Sequence, residues 1–224
     1  FSLTFHEQFA YVKFDMKNEK VNKLNRITFH ELSHLLEQLE DNSKIKWVLF
    51  DSSKPDVFIA GADIKELQSI QSFEEGQEVI QRGHQIFNRI SALKAKTVAL
   101  CDGVALGGGL EFALACDFIV ITDSDKVRFG LPEVNFGIIP GWGGTQRLPR
   151  RIGLIQGLKH IVAGKIIDGK KALALGVADA MVPSSSKHDA LMDLIRKKKL
   201  RRRHAKRSII EYIPGYTAFV CRQA

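Results

Sequence analysis

Residues 106–116, with the sequence LGGGLEFALAC, form the stretch that decides the fold of this 224-residue chain. Three consecutive glycines do not suit the interior of a helix or a strand, where each costs roughly 1 kcal/mol relative to alanine. The apolar run behind them predicts a short buried helix that starts near Gly109. The first amide groups of such a helix are unpaired and favour an anion or a developing oxyanion. Tight packing of the helix against a sheet explains the glycines equally well.

Strand-like and helix-like segments alternate on both sides of this stretch. Phe9–Met16 alternates apolar and polar residues, as a half-exposed strand does, and Thr97–Cys101 has the composition of a buried strand. Residues 28–41 repeat leucine at helical spacing, and residues 73–93 predict a long amphipathic helix. Further strands are predicted at 47–50, 118–122 and 127–129, and further helices at 146–152, 154–163, 170–175 and 187–199, while residues 58–62 are small and apolar. This alternation predicts an α/β fold.

Composition and charge exclude several classes of protein. Hydrophobic residues make up 45% of the chain and charged residues 26%, which excludes a collagen-like or wholly disordered protein. The net charge of +8 comes from one run, because nine of the 33 Lys and Arg residues lie between Arg196 and Arg207. The remaining 24 basic residues balance 25 Asp and Glu. A groove for duplex DNA usually spreads its basic residues over one face of the fold, so this class is disfavoured.

The cysteines and the apolar runs exclude two further classes. Three widely spaced cysteines, at 101, 116 and 221, do not form a disulfide scaffold and predict reduced thiols. The longest apolar runs are strand-sized, so no membrane span is expected. The first residues carry neither a signal-peptide pattern nor a transit-peptide pattern.

The segment His30-Glu31-Leu32-Ser33-His34 matches H-E-x-x-H, the pattern of zinc proteases. At 100° per residue, the leucine stripe of the same helix centres almost opposite His30 and His34. Both imidazoles are therefore predicted to point into solvent. We interpret the pattern as a polar helix face and predict no metal site.

Two carboxylates stand in apolar surroundings. Glu111 lies in the first turn of the predicted helix behind the glycines, and Glu133 follows Pro132 in a mostly uncharged segment. A carboxylate in such a place either complements a helix N-terminus or is functional. Two of them near an oxyanion site indicate general acid and base chemistry.

Four separated motifs resemble the enoyl-CoA hydratase (crotonase) family, in the same order and at the same spacing. They are FIAGADIKE at 58–66, LGGGLE at 106–111, LPEVNFGIIPG at 131–141 and GGTQRL at 143–148. The resemblance covers about residues 8–185. Residues 21–25 and 52–55 look most like the N-terminal hydratase/isomerase domain of multifunctional fatty-acid β-oxidation α-subunits. No dinucleotide fingerprint occurs in the chain, so the dehydrogenase portion of those proteins is absent from it.

The resemblance implies the roles of four residues. The backbone amides of Ala62 and Gly108 are expected to form the oxyanion hole for a thioester oxygen, and Glu111 and Glu133 are expected to hold the water that adds to the double bond. Family members that keep one of these acids often do other enolate chemistry. Because both are present, the resemblance implies hydration of trans-2-enoyl-CoA to 3-hydroxyacyl-CoA, with Δ3-to-Δ2 enoyl-CoA isomerisation as a secondary activity.

The same resemblance implies a binding segment for coenzyme A. Ala60 is the expected backbone partner of adenine, with Asp63, Ile64 and Lys65 lining that site. No cofactor is expected, because coenzyme A is part of the substrate. Gly141 and Trp142 are expected at the substrate. Trp142 replaces a small residue of many relatives, so its ring either narrows the acyl pocket, altering chain-length preference, or packs under the loop.

The family implies an α/β spiral of repeated β-β-α units with a helical C-terminal region. We expect a hydratase core at 1–185 and a basic, helical segment at 186–224 that begins the linker to the absent dehydrogenase domain. Free-standing relatives form trimers or hexamers, and the full-length multifunctional form has a dehydrogenase domain and a thiolase subunit. The expected location is the bacterial cytoplasm, with the mitochondrial matrix as the alternative.

The basic run at 196–207 has three interpretations. It is a solvated helix end, it approaches the coenzyme A phosphates, or it binds nucleic acid. The last is the weakest, because aromatic residues for base stacking do not interleave with the basic ones. The alternative to an enzyme is a non-catalytic or truncated crotonase-fold module that binds acyl-CoA, a protein partner or RNA.

Overall fold

The computed structural model describes residues 1–203, and every element named below lies in that range. The strands are β1 (Ser2–His6), β2 (Phe9–Phe14), β3 (Trp47–Ser52), β4 (Val57–Ile59), β5 (Lys96–Cys101), β6 (Val104–Leu106), β7 (Phe118–Thr122), β8 (Arg128–Gly130), β9 (Ile167–Asp168) and β10 (Ala180–Val182). The helices are α1 (Arg26–Glu40), α2 (Ile64–Gln68), α3 (Phe73–Ala92), α4 (Gly108–Ala115), α5 (Gly144–Ile152), α6 (Leu154–Val162), α7 (Gly169–Leu175) and α8 (Lys187–Arg196). Short 3₁₀ helices cover Glu133–Phe136 and Ser184–Ser186.

The strands form two sheets, and the chain passes back and forth between them. The larger sheet has the order β1-β2-β3-β5-β7-β10, and the smaller has the order β4-β6-β8-β9. Three times in succession a strand of the larger sheet leads into a strand of the smaller one and then into helical structure: β3 to β4, β5 to β6, and β7 to β8. The pairs among these strands are parallel. This repeat is the β-β-α spiral that the family resemblance implies.

Alternation along the larger sheet separates two apolar layers. On β5, Ala99 and Cys101 face the main core, which α1, α3 and α4 also line. Val98 and Leu100 face the opposite side, where Leu191 of α8 covers them. This period of two is what a strand buried on both faces produces. The first part of the expected C-terminal segment is thus packed on the outer face of the sheet.

Element ends differ from the sequence predictions where backbone geometry intervenes. The small apolar stretch at 58–62 is a strand only up to Ile59, two residues before Gly61 adopts φ +123°. The helix predicted at 187–199 ends at Arg196, because Lys198 takes the left-handed conformation at φ +53°. The sequence patterns do not predict β4, β6, β9, β10 or α2. These elements contain two to five residues, too few to show a period.

Other predictions concern surface features and thiols. His30 and His34 are exposed on α1, as predicted, while the leucine stripe is buried. Within residues 1–203, no group of three or more potential metal-ligating side chains is placed to hold a metal ion. Cys101 and Cys116 are buried free thiols. No helix of the described part is long and apolar enough to cross a membrane. Cys221, the end of the basic run and the tail at 205–224 lie outside the described residues.

Candidate active site

The three glycines before α4 have separate structural reasons. Gly107 adopts φ +50°, and its N–H donates to the carbonyl of Gly130 at 2.9 Å, which ties the turn to the smaller sheet. A Cβ on Gly109 would lie 2.1 Å from the carbonyl oxygen of Ile59, so this glycine lets α4 pack against β4. A Cβ on Gly108 would lie 2.3 Å from the ring of Trp142. Packing therefore explains part of the motif, and the turn geometry explains the rest.

The two expected oxyanion donors are both left without an acceptor among the described residues. Residues 22–24 run alongside residues 60–63, and this short ladder uses the N–H groups of Ala60 and Asp63. The N–H of Ala62 is not used in it. Gly108 is the first residue of α4, so its N–H has no partner within the helix. Each amide is available to an incoming oxygen, and at Gly108 the helix dipole adds positive potential.

Glu111 is the only acidic residue in the first turn of α4, a helix whose residues are all buried. Within residues 1–203 its side chain is held by backbone amides alone: Oε1 accepts the N–H of Trp142 at 2.8 Å and that of Gly144 at 2.7 Å. Burial raises the pKa of Glu111 to about 7, the charge of Glu133 adds to the rise, and the two N–H donors oppose it. A carboxyl group of this pKa exchanges a proton readily near neutral pH.

Glu133 begins a 3₁₀ helix and is brought back over the glycine turn. A Cβ on Gly107 would lie 3.0 Å from its Oε1. Its Oε2 is buried and has no hydrogen-bond partner among the described residues, and burial raises the pKa of this carboxyl group. The fold therefore brings the two predicted glutamates together at the turn that carries the Gly108 amide. An unpartnered buried oxygen is costly unless something binds there.

Trp142 is buried, and its ring packs under the loop rather than standing free in it. The ring lies between α3 and α4. A Cβ on Gly83 of α3 would be 2.2 Å from one side of it, and a Cβ on Gly108 of α4 would be 2.3 Å from the other. Phe29 and Phe87 meet it edge to face at centroid distances of 5.0 and 6.0 Å. Gly141 precedes it and is half-buried, against Ile80 of α3. The second of the two alternatives for Trp142 is the one the structure favours.

The residues expected at coenzyme A lie on one turn beside Ala62. The N–H of Ala60 donates to the carbonyl of Asn22 at 2.8 Å, so only its carbonyl is left for a ligand. Asp63 caps α2 by accepting the N–H of Lys65 at 3.0 Å and pairs with Lys23 at 3.0 Å. Its hydrogen bond with Lys23 lowers the pKa of Asp63. Ile64 and Lys65 are exposed.

Sequence reasoning assigned no role to Gly144 or Arg147, although both stand in the GGTQRL motif. Gly144 donates to Glu111, and a Cβ on it would lie 3.0 Å from the Glu111 side chain. Arg147 donates to the carbonyl of Trp142 at 2.9 Å. In the sequence, only their place in the GGTQRL motif at 143–148 indicates that they have a role. Spacing alone cannot reveal which side chain a backbone amide meets.

Solved structures of hydratases resemble this fold closely. An enoyl-CoA hydratase from Bacillus anthracis matches 88% of the chain with a TM-score of 0.81 at 28% identity, and the match covers 75% of that protein. An enoyl-CoA hydratase from Thermoplasma volcanium matches 88% of the chain with a TM-score of 0.79 at 26% identity, over 77% of its own length.

Sequence relatives are longer proteins. The fatty acid oxidation complex subunit alpha of Vibrio parahaemolyticus is 46% identical over 200 residues, which are 89% of this chain and 28% of that protein. The subunit of the same name from Vibrio campbellii is 47% identical over 83% of this chain and 26% of its own length. The chain thus spans little more than a quarter of these relatives.

The family model for enoyl-CoA hydratase/isomerase matches residues 4–210, a range that holds the glycine turn, both glutamates and both candidate oxyanion donors. The chain therefore belongs to the enoyl-CoA hydratase/isomerase family.

Proposed function

We propose that this chain adds water to trans-2-enoyl-CoA and releases 3-hydroxyacyl-CoA. The observation that carries the proposal is the convergence of Glu111 and Glu133 on the turn whose Gly108 amide is unpaired. Adding water to a conjugated thioester places negative charge on the carbonyl oxygen. Two preorganised N–H donors, those of Ala62 and Gly108, would stabilise that charge, each by about 3–4 kcal/mol.

The two carboxylates would hold one water between them. The hydrogen bonds of Glu111 to the amides of Trp142 and Gly144 both fall on Oε1, which leaves Oε2 for the water. On Glu133, Oε2 is buried without a partner among the described residues and is the oxygen that would bind the same water. The water oxygen forms a bond to C3 while one carboxylate takes its proton. The other carboxylic acid gives a proton to C2 as the enolate collapses, and proton exchange restores both groups. The reaction is neither an oxidation nor a reduction, so we propose that it needs no cofactor.

We also propose that the turn at Ala60–Lys65 receives the adenine end of coenzyme A. The free carbonyl of Ala60 suits the exocyclic amino group of adenine, and the exposed ammonium of Lys65 suits a phosphate. Ile64 offers an exposed apolar surface beside them, at 55% exposure. Asp63 would hold the turn in place, since its carboxylate is already engaged by Lys23 and the α2 cap.

A wider role follows from the relatives. They are named as subunits of a bacterial fatty acid oxidation complex, so we propose that the chain serves β-oxidation in the bacterial cytoplasm, with isomerisation of Δ3-enoyl-CoA as a second activity of the same site. We further propose a dehydrogenase domain and a thiolase subunit as partners in the full-length form, and a trimeric or hexameric assembly.

The test follows the ultraviolet absorbance of the conjugated enoyl thioester, which disappears on hydration. The chain should consume trans-2-enoyl-CoA, and Glu111→Gln and Glu133→Gln should each lower kcat by roughly 100-fold or more. Glu74→Gln, at an exposed position of α3, removes the same charge and should leave the rate unchanged. Binding of acyl-CoA without turnover would instead support the non-catalytic module.

A further inference from the structure

Arg147 lies behind the loop that holds Glu111. It belongs to α5, is half-buried, and spans two neighbouring elements. One Nη donates to the carbonyl of Trp142 at 2.9 Å, and the other donates to Oδ1 of Asn88 on α3 at 2.8 Å. The guanidinium therefore ties the loop and α5 to α3, and its fixed fork makes both bonds from one rigid group.

The bonded carbonyl is placed where it controls both donors to Glu111. The Trp142 carbonyl stands between the N–H of Trp142 and the N–H of Gly144, which are the two groups that bind Oε1. Holding that carbonyl orients the peptide after Trp142, and hence the flanking amides on either side. Gly143 in between adopts φ +104°, and a Cβ there would lie 2.2 Å from Nη1 of Arg147. The loop is thus shaped around the guanidinium.

Arg147 also acts on Glu111 by charge. Its hydrogen bonds go to neutral oxygens rather than to a carboxylate, so its charge is not cancelled by contact. Burial lowers the pKa of Arg147, while the nearby charge of Glu111 raises it, and Arg147 in turn lowers the pKa of Glu111. Among the described residues, the other ionisable groups near Glu111 are Glu133, which raises its pKa, and His84 of α3, whose Cε1 would lie 3.9 Å from a Cβ on Gly143.

We propose that Arg147 is a positioning residue for the hydration: through Trp142 it sets the two amides that hold Glu111, and its charge favours the ionised carboxylate. This inference rests on the proposed function of the site. The hydrogen bonds of Arg147 go to the Trp142 carbonyl and to Asn88, so it would act on the reaction through the loop. Its effect should therefore fall on kcat and on the pH profile, with little effect on substrate binding.

The test compares Arg147→Gln, Arg147→Lys and a matched control, Arg150→Gln, which removes the same charge from an exposed position of the same helix. In Arg147→Gln we expect kcat to fall about 10- to 100-fold with KM changed less than about threefold. In the plot of kcat against pH, the limb that reports the ionisation of Glu111 should move to higher pH. Losing a nearby positive charge raises the pKa of a carboxyl group. Arg147→Lys should keep the limb in place and recover only part of kcat, and Arg150→Gln should match the wild type in both.

Thermal melting of each variant separates positioning from folding. An Arg147→Gln protein that melts lower but keeps its kcat, or whose limb does not move, overturns the inference. If Arg147→Gln does not fold, Arg147→Lys decides: a lowered kcat with an unmoved limb supports the inference, and an unchanged kcat overturns it. A wild-type chain without hydratase activity would contradict the proposed function itself, which keeps the two failures distinct.

Discussion

Glu111 and Asp179 are carboxylates of similar burial, 1% and 6% exposed, and their surroundings meet the negative charge in different ways. Asp179 lies against the guanidinium of Arg151, and it also accepts the N–H groups of Ile119 and Arg203, both at 2.8 Å. Glu111 is held by two neutral backbone amides and stands near a second carboxylate.

The difference teaches how one fold uses a buried acid for two purposes. A full positive charge in contact balances the charge of Asp179, which suits a structural link between β7, α5 and the chain after α8. Neutral donors leave the pKa of Glu111 at about 7, so that it can take and return a proton. The proposed catalysis requires the carboxyl group whose charge is not neutralised by a cation in contact.

Asp51 and Glu40 extend the comparison towards the surface. Asp51 is buried at the end of β3 and meets His188 at 2.8 Å and Lys187 at 3.2 Å, both from α8. Glu40 pairs with Arg89 at 2.8 Å where both side chains are partly exposed. These four carboxylates form a series in which removal should have graded effects.

The largest effect is expected at Asp179. Asp179→Ala leaves the Arg151 guanidinium buried without its partner, so the free energy of unfolding should fall by about 3–5 kcal/mol. Urea denaturation followed by circular dichroism measures this. The double variant Arg151→Met, Asp179→Leu removes the unpaired guanidinium and should recover that part of the loss, but not the part due to the N–H groups of Ile119 and Arg203. If Asp179→Ala is as stable as the wild type, Asp179 does not serve as a structural link.

The second largest effect is expected at Glu111, where the substitution should raise the free energy of unfolding rather than lower it. Since the folded pKa of Glu111 is about 7 against 4.5 in the unfolded chain, its stability contribution is complete below pH 4.5 and is lost as the pH rises through 7. Glu111→Gln carries no such titration. The variant should therefore gain stability relative to the wild type between pH 4.5 and 8, by about 3 kcal/mol in total. If the free energies of unfolding of the variant and the wild type change equally with pH across that range, the site does not raise the pKa of Glu111.

Asp51 should give an intermediate effect. Burial alone would raise its pKa, but the His188 hydrogen bond, the Lys187 charge and the Ser52 N–H outweigh burial and lower it. Its stabilising contribution is therefore present above the unfolded pKa of 3.8 and is lost as the pH falls through the lower folded value. Asp51→Asn should cost about 2 kcal/mol at pH 7, and less below pH 3, in chemical denaturation. An equal cost at both pH values would contradict an electrostatic link to α8.

The smallest effect is expected at Glu40. Its hydrogen bond to Arg89 lowers the pKa of Glu40, but solvent screens the pair. Glu40→Gln should change the free energy of unfolding by less than about 1 kcal/mol, and 1 M salt should remove most of that difference. A cost similar to that at Asp179 would show that burial does not order the series.

Much of the architecture was predictable because it depends on local spacing. The leucines of α1 repeat at helical intervals, which predicted both the buried face and the exposure of His30 and His34. The glutamates were found because an acid is conspicuous among apolar neighbours. The short elements escaped notice, since β10 has three residues and α2 five, and their pairing partners lie far away in the chain.

By itself the sequence determined the alternation of strands and helices, the glycine turn before α4, and the identity of the two acids, because each is a property of neighbouring residues. Only the tertiary structure decided how Glu111 is held, that the Trp142 ring lies across Gly108, and that Arg147 supports the loop. Those facts depend on contacts between segments 30 or more residues apart in some cases, and on backbone amides whose direction no side-chain pattern encodes.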